Sequence, residues 1–242
     1  MDKKNFLNKS LIRYGFGWNY RAWSHSLKTC GILSKSKYDR VLEIGAGKHS
    51  IVSLIFDGIA EEIVVSYYED KQMHDIESYL NFVKKKKELK STYILKKLDA
   101  KTVIGNYDLV IMKSVLGGIY RNNNGSLLDI KVFIKNLFSR TVKNGGILIT
   151  IDNGKSFFEN FMSSFGARKN QWRFFLKDDL NFSGMQFYFG FLSSFSFEMR
   201  LGIFGFILDN YIMYPLDYFL SKILPNNPTV ILNIVTQNIN KK

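Results

Sequence analysis

The stretch that most constrains this chain is Asp39-Arg40-Val41-Leu42-Glu43-Ile44-Gly45-Ala46-Gly47-Lys48-His49-Ser50. It reads as a buried strand, a glycine loop and the first turn of a helix. Val41, Leu42 and Ile44 form a short apolar run, and Ile51, Val52, Leu54 and Ile55 resume at helical spacings. Gly45 and Gly47 permit backbone angles that a side chain forbids and let a ligand approach the main chain. The unpaired N–H groups of the following turn would stabilise an anion there. Glu43 adds a negative charge beside the loop, which argues against a phosphate and suits a ligand carrying an ammonium group or hydroxyls. A dinucleotide fingerprint would want Gly or Ala where Ser50 stands, which disfavours a nicotinamide dehydrogenase. An ordinary strand-to-helix turn of another α/β protein is the plain alternative.

Later segments follow in an order that matters. Glu62-Ile63-Val64-Val65-Ser66-Tyr67 is a second strand by its β-branched run. A lysine-rich helix from Asp75 to about Leu89 leads to Tyr93-Ile94-Leu95-Lys96-Lys97-Leu98-Asp99-Ala100. Tyr107 to Ile119 opens with an aromatic-Asp pair and continues as a buried strand. Leu127 to Arg140 reads as a helix with Leu128, Val132, Ile134 and Leu137 apolar. Asn144-Gly145-Gly146 then turns into the strand ending at Asp152.

Together these pieces resemble the class I S-adenosylmethionine-dependent methyltransferases over residues 41–152. The resemblance implies a Rossmann-like three-layer α/β sandwich with a seven-stranded, mostly parallel sheet and an antiparallel last strand. It implies S-adenosylmethionine as cofactor, held by Glu43, Gly45, Ala46, Gly47, Glu69, Asp99, Ala100 and Lys113. In that scheme Glu43 orients the methionine ammonium, Glu69 holds the ribose diol, and Asp99 with Ala100 reads the adenine edge. The ribose acid departs from the family pattern, because Tyr67 or Tyr68 stands near its usual position and Glu69 and Asp70 follow. Lys113-Ser114 stands where base N-methyltransferases carry an Asn-Pro-Pro-aromatic tetrad, which argues against base methylation. His25, His49, Lys113 and Tyr120 are candidate proton acceptors, and no catalytic residue stands out. An isolated Asp such as Asp99 also suits a plain helix cap.

Composition narrows the rest. The chain of 242 residues is 46% hydrophobic, enough for one substantial domain with a full core. We expect a helical cap segment over residues 1–38, carrying Trp18, Tyr20 and Trp23, and the methyltransferase domain over 39–242. One cysteine and three histidines give neither a disulfide framework nor a metal spacing, and point to the reducing cytoplasm. The net charge of +13 invites a nucleic-acid reading, but lysines scattered among Asn, Ile, Phe and Tyr carry little of it, and Lys84 to Lys87 suits a solvated helix end. The apolar run Ser183 to Phe197 is followed by Glu198, Arg200 and Asp209 too soon for the ~20 residues of a membrane span.

Beyond residue 155 the expectations are a helix capped by Asp178 or Asp179, strands near Phe195 to Phe206 and Thr229 to Gln237, and a short helix from Pro215. That helix would carry Leu216, Phe219, Leu220 and Ile223 on one face, and the tail would pack as core, shape an acceptor pocket or touch a lipid surface. The implied reaction is methyl transfer to a small-molecule, sugar or lipid-linked acceptor, as in surface polysaccharide or secondary metabolism. RNA methylation and a non-catalytic binding protein on the same fold are the alternatives.

Overall fold

The computed structural model describes residues 37–47, 51–86, 88–155, 172–182, 184–189, 204–205, 207–223, 228 and 230–236. The expected cap segment with His25, and the loop residues Lys48, His49 and Ser50, lie outside them. The strands are β1 (Tyr38–Ile44), β2 (Ala60–Tyr67), β3 (Thr92–Lys97), β4 (Tyr107–Lys113), β5 (Val142–Asn153), β6 (Gly184–Phe189) and β7 (Val230–Thr236). The α-helices are α1 (Asp70–Lys86), α2 (Val115–Ile119), α3 (Leu127–Thr141) and α4 (Tyr214–Ile223). One seven-stranded sheet has the order β3-β2-β1-β4-β5-β7-β6. The first five strands run parallel, and β7 pairs antiparallel with both β5 and β6.

Strict alternation divides the core. Val41, Ile63, Val65, Leu109, Ile111, Ile149 and Ile151 face the α1 side with Ile76, Leu80 and Val83. Leu42, Ile44, Val64, Val110, Met112 and Leu148 face the α3 side with Ile130, Ile134 and Leu137. Strands buried on both faces have to read as near-continuous apolar runs, as these do. In α3 the buried stripe also takes in Phe133 and Phe138, while Leu128 and Val132 are exposed, so the apolar face is rotated from the expected one. Ser126 and Asp129 start that helix with a reciprocal capping box.

Three expectations are corrected. The helix after the glycine loop is the short 3-10 turn Val52–Phe56 within the described residues. Strand β6 lies at Gly184–Phe189, where none was expected; of the strand expected near Phe195 to Phe206, Phe204 and Gly205 are helical and the rest lies outside the described residues. Asp179 accepts the Leu176 N–H at 2.8 Å and closes a turn; no helix follows before β6 among the described residues. The helix from Pro215 is found as α4, preceded by a π-helical turn at Leu208–Met213, but its Leu216, Phe219 and Ile223 point to solvent.

The aromatic-Asp pair opening β4 does structural work at the edge opposite the glycine loop. Asp108 accepts the N–H groups of Asp39 (3.0 Å) and Arg40 (2.9 Å) and pairs with Lys143. Burial works against its charge, but Lys143 and those N–H groups prevail and hold its carboxyl below the ordinary range. A carboxylate so depressed adds stability above its unfolded pKa that is lost as pH falls through the folded one. Asp108→Ala should therefore cost about 2 kcal/mol near neutrality, and the deficit should shrink in acid, measured by urea unfolding across pH.

Candidate functional site

Parallel register brings the strand ends to one rim. Glu43 lies beside Val65 and Ile111, Ile44 beside Met112, and Tyr67 beside Lys97. The predicted residues Gly45, Ala46, Gly47, Glu69, Asp99, Ala100 and Lys113 consequently all follow or end strands on the same edge. β1 lies between β2 and β4 in the sheet, so its loop sits where the chain's winding reverses, the place where open α/β sheets bind ligands.

Glu43 is turned inward. It is 1% exposed, and its two oxygens accept the N–H groups of Val52 (3.0 Å) and Ser53 (2.9 Å) and the Ser53 hydroxyl (2.5 Å). The anion that the post-loop turn was expected to attract is thus the chain's own carboxylate. Burial pushes Glu43 up to about 7, against the Ser53 hydroxyl, the two N–H groups and the Lys113 charge. Burial pushes Lys113 down to about 8, with Glu43 opposing. The two are an electrostatic pair beneath the loop.

The loop itself is held from β2. Gly45 N–H donates to the Ser66 hydroxyl (3.3 Å) and Ala46 N–H to the Ser66 carbonyl (2.9 Å). Gly45 has φ +71°, and a Cβ there would stand 2.8 Å from Val115 Cγ2. Its outer face is open to solvent.

At the neighbouring ends, Tyr68 is 61% exposed and fills the first position after β2. Gln72 Oε1 accepts the N–H groups of Tyr68 and Glu69, starting α1, and leaves the Glu69 side chain at the surface. Asp70 is paired with Lys97 at 2.9 Å, so Glu69 is the less committed of the two acids. Asp99 accepts the Lys101 N–H at 2.8 Å, a local turn contact, and Ala100 is buried on the α3 side.

Lys113 leads into Ser114, a non-glycine residue at φ 58°, a conformation that persists where surroundings impose it. Ser114 N–H donates to the Ile151 carbonyl (2.7 Å), and Asn153 Nδ2 donates to Ser114 Oγ (3.2 Å). The segment Trp172–Phe175 crosses here: Arg173 N–H donates to the Gly117 carbonyl and Phe175 N–H to that of Asn153 (both 3.1 Å). Trp172 lies against Gly118, with Arg121 stacked on its ring at 5.0 Å. Tyr120 donates to the Asp129 carbonyl at 3.1 Å, which ties this candidate base to α3.

Sequence reasoning missed Ser66, Ser53 and Asp152. Ser66 and Ser53 carry no signal beyond being small polar residues among apolar ones. Asp152 is a charge inside an apolar strand, which was a readable signal. It is 1% exposed, and burial pushes its carboxyl up to about 7, against the Thr150 side chain and the Leu116 and Gly117 N–H groups. An acid raised on folding binds a proton in the native state that the unfolded chain has released, so it costs stability as pH rises. Asp152→Asn should raise stability by about 2–4 kcal/mol above neutrality. The gain should vanish in acid below the ordinary Asp range, grow up to about pH 7 and then level off, as thermal melts across pH would show.

No family model matches the chain, and no curated protein does. Among solved structures, a magnesium protoporphyrin IX methyltransferase from Synechocystis PCC 6803 with bound SAH is similar over 72% of this chain and 73% of its own, at 15% identity and TM-score 0.49. A putative methyltransferase from Bacillus halodurans C-125 is similar over 87% and 96%, at 14% identity and TM-score 0.46. The N-methyltransferase NodS from Bradyrhizobium japonicum WM9 is similar over 59% and 71%, at 15% identity and TM-score 0.40. The deciding observation is the sheet itself, five parallel strands in the order 3-2-1-4-5 completed by an antiparallel β7 inserted beside β6. The chain has a Rossmann-like α/β fold with a seven-stranded, mostly parallel sheet. Open α/β sheets bind ligands at a rim of this kind, and among the described residues no cluster of His, Cys, Asp and Glu could hold a metal ion. No helix among them is long and apolar enough to cross a membrane.

Proposed function

We propose that this chain binds S-adenosylmethionine and transfers its methyl group to a small-molecule, sugar or lipid-linked acceptor. The observation that carries the reading is the Glu43 carboxylate seated on the Val52 and Ser53 N–H groups, beneath an open Gly45 at the sheet's reversal point. A dinucleotide site needs those N–H groups for pyrophosphate, and here they are taken. A ligand without phosphate, presenting a flat or polar edge to a bare glycine, suits what remains.

S-adenosylmethionine, when bound, supplies an activated methyl on a sulfonium centre. Gly45 to Gly47 would line it, with Glu43 holding the loop in shape from below and Lys113 closing the floor at β4. Glu69 would meet the ribose hydroxyls, since a carboxylate's two oxygens match a vicinal diol, and Asp99 with Ala100 would meet adenine. The chain's remaining task is alignment of the acceptor and exclusion of water, for which the Trp172–Phe175 segment stands across the end of β5.

Calorimetry with S-adenosylhomocysteine tests the reading. Saturable heat and a thermal shift are expected, with no enhancement of NADH fluorescence on mixing. Absence of both signals at millimolar ligand would overturn it.

A further inference from the structure

Three buried acids of the sheet region, Glu43, Asp57 and Asp152, differ in one respect. Glu43 accepts three hydrogen bonds, and Asp57 accepts the N–H groups of Lys90 and Ser91 and the Tyr93 hydroxyl. Neither carboxyl oxygen of Asp152 reaches hydrogen-bond geometry with a partner among the described residues, although the residue is 1% exposed and the Thr150 side chain and the Leu116 and Gly117 N–H groups lie near enough to favour its charge. Asn233 Oδ1, on the adjacent strand β7, is likewise without a hydrogen-bond partner among them, while its Nδ2 donates to Thr150 Oγ1 at 3.1 Å. Thr150 and Asn233 are register partners, and Asp152 lies two positions along β5 on the same face. Leaving such acceptors dry costs free energy, so they mark a place where donors arrive from elsewhere.

That place adjoins the proposed transfer site. Ile151 and Asn153, on either side of Asp152, are both bonded to Ser114 at the end of β4. The Trp172–Phe175 segment bridges α2 and the end of β5 one residue beyond it. The polar groups facing the carboxyl are the Thr150 side chain and the Leu116 and Gly117 N–H groups.

We propose that Asp152 receives a hydroxyl group of the methyl acceptor, in a subsite between the end of β5, the start of α2 and the Trp172–Phe175 segment. The proposal rests on the methyl-transfer reading and deepens it. A hydroxyl both donates and accepts, which suits a site offering unpaired carboxyl oxygens beside backbone N–H donors. An ammonium has only donors and would face those N–H groups; a carboxylate or phosphate would face Asp152. Asp152 is here a binding residue for the acceptor, separate from the groups that hold the cofactor.

The test uses wild type and Asp152→Asn, both with S-adenosylhomocysteine. Calorimetry should give the two forms equal affinity for that ligand; no binding by either would overturn the methyltransferase reading and this subsite with it. The carboxyl is then labelled with dicyclohexylcarbodiimide below neutral pH and read by peptide mass spectrometry, with exposed Asp178 as internal standard and the Asn variant as background. Labelling of Asp152 is expected, slowed severalfold by isopropanol and unaffected by isopropylammonium at equal concentration. If the homocysteine derivative binds but Asp152 stays unlabelled, or if both probes protect equally or the ammonium protects more, the hydroxyl subsite is wrong.

Discussion

Replacing Glu43 with leucine should cost about 3–5 kcal/mol of folding stability, a large fraction of what a domain of this size has. The expectation follows from what the side chain leaves behind. Val52 N–H, Ser53 N–H and the Ser53 hydroxyl lose their acceptor inside the core, and half-buried Lys113 loses the Glu43 charge that opposes its desolvation. Glutamine, which keeps one acceptor oxygen, should recover part of the loss. Urea unfolding of the three forms decides the matter. A leucine variant within about 1 kcal/mol of wild type would mean that the carboxylate does not hold the loop. Because the loop is anchored through this residue, S-adenosylhomocysteine affinity should fall in parallel with stability.

The second large effect is at Gly45. Valine there would combine a β-branched residue with φ +71° and a Cβ 2.8 Å from Val115 Cγ2, and would cover the open face of the loop. Binding of S-adenosylhomocysteine should weaken by more than about tenfold, which corresponds to about 1.4 kcal/mol, on top of a stability loss of similar size. Gly145 provides the control. It has φ +76°, and a Cβ there meets nothing within 4 Å, so Gly145→Ala isolates the backbone strain. That variant should lose about 1 kcal/mol of stability and keep its ligand affinity. Equal affinity of the Gly45 variant and wild type would remove the loop from the binding site.

The sequence made the central parallel strands legible because their burial on both faces forces long apolar runs, and short glycine turns mark their ends. Tyr107 to Lys113 is the clearest example. Two parts of the fold were hidden in the sequence for physical reasons. Residues 174–206 are so evenly aromatic that no period separates strand from helix: β6 at Gly184–Phe189 went unread, and Phe204 and Gly205, expected in a strand, are helical. The apolar set Leu216, Phe219 and Ile223 has helical spacing, which identifies a helix but not which way its face points. Glu43 was legible as an acid beside a glycine loop, yet its direction depended on Ser53, ten residues on, presenting a hydroxyl and an N–H to it. Asp152 was visible as a charge in an apolar strand, but its lack of partners is a property of β7 and α2 packing, which no local pattern encodes.

Glu43 also bears on selectivity in a crowded cell. Nucleoside triphosphates and dinucleotides are abundant, and glycine loops of this kind are where they commonly lodge. With its own side chain on the Val52 and Ser53 N–H groups, the chain occupies donors that a phosphate would otherwise use, so under the proposed function discrimination against phosphates begins in the scaffold before any ligand arrives.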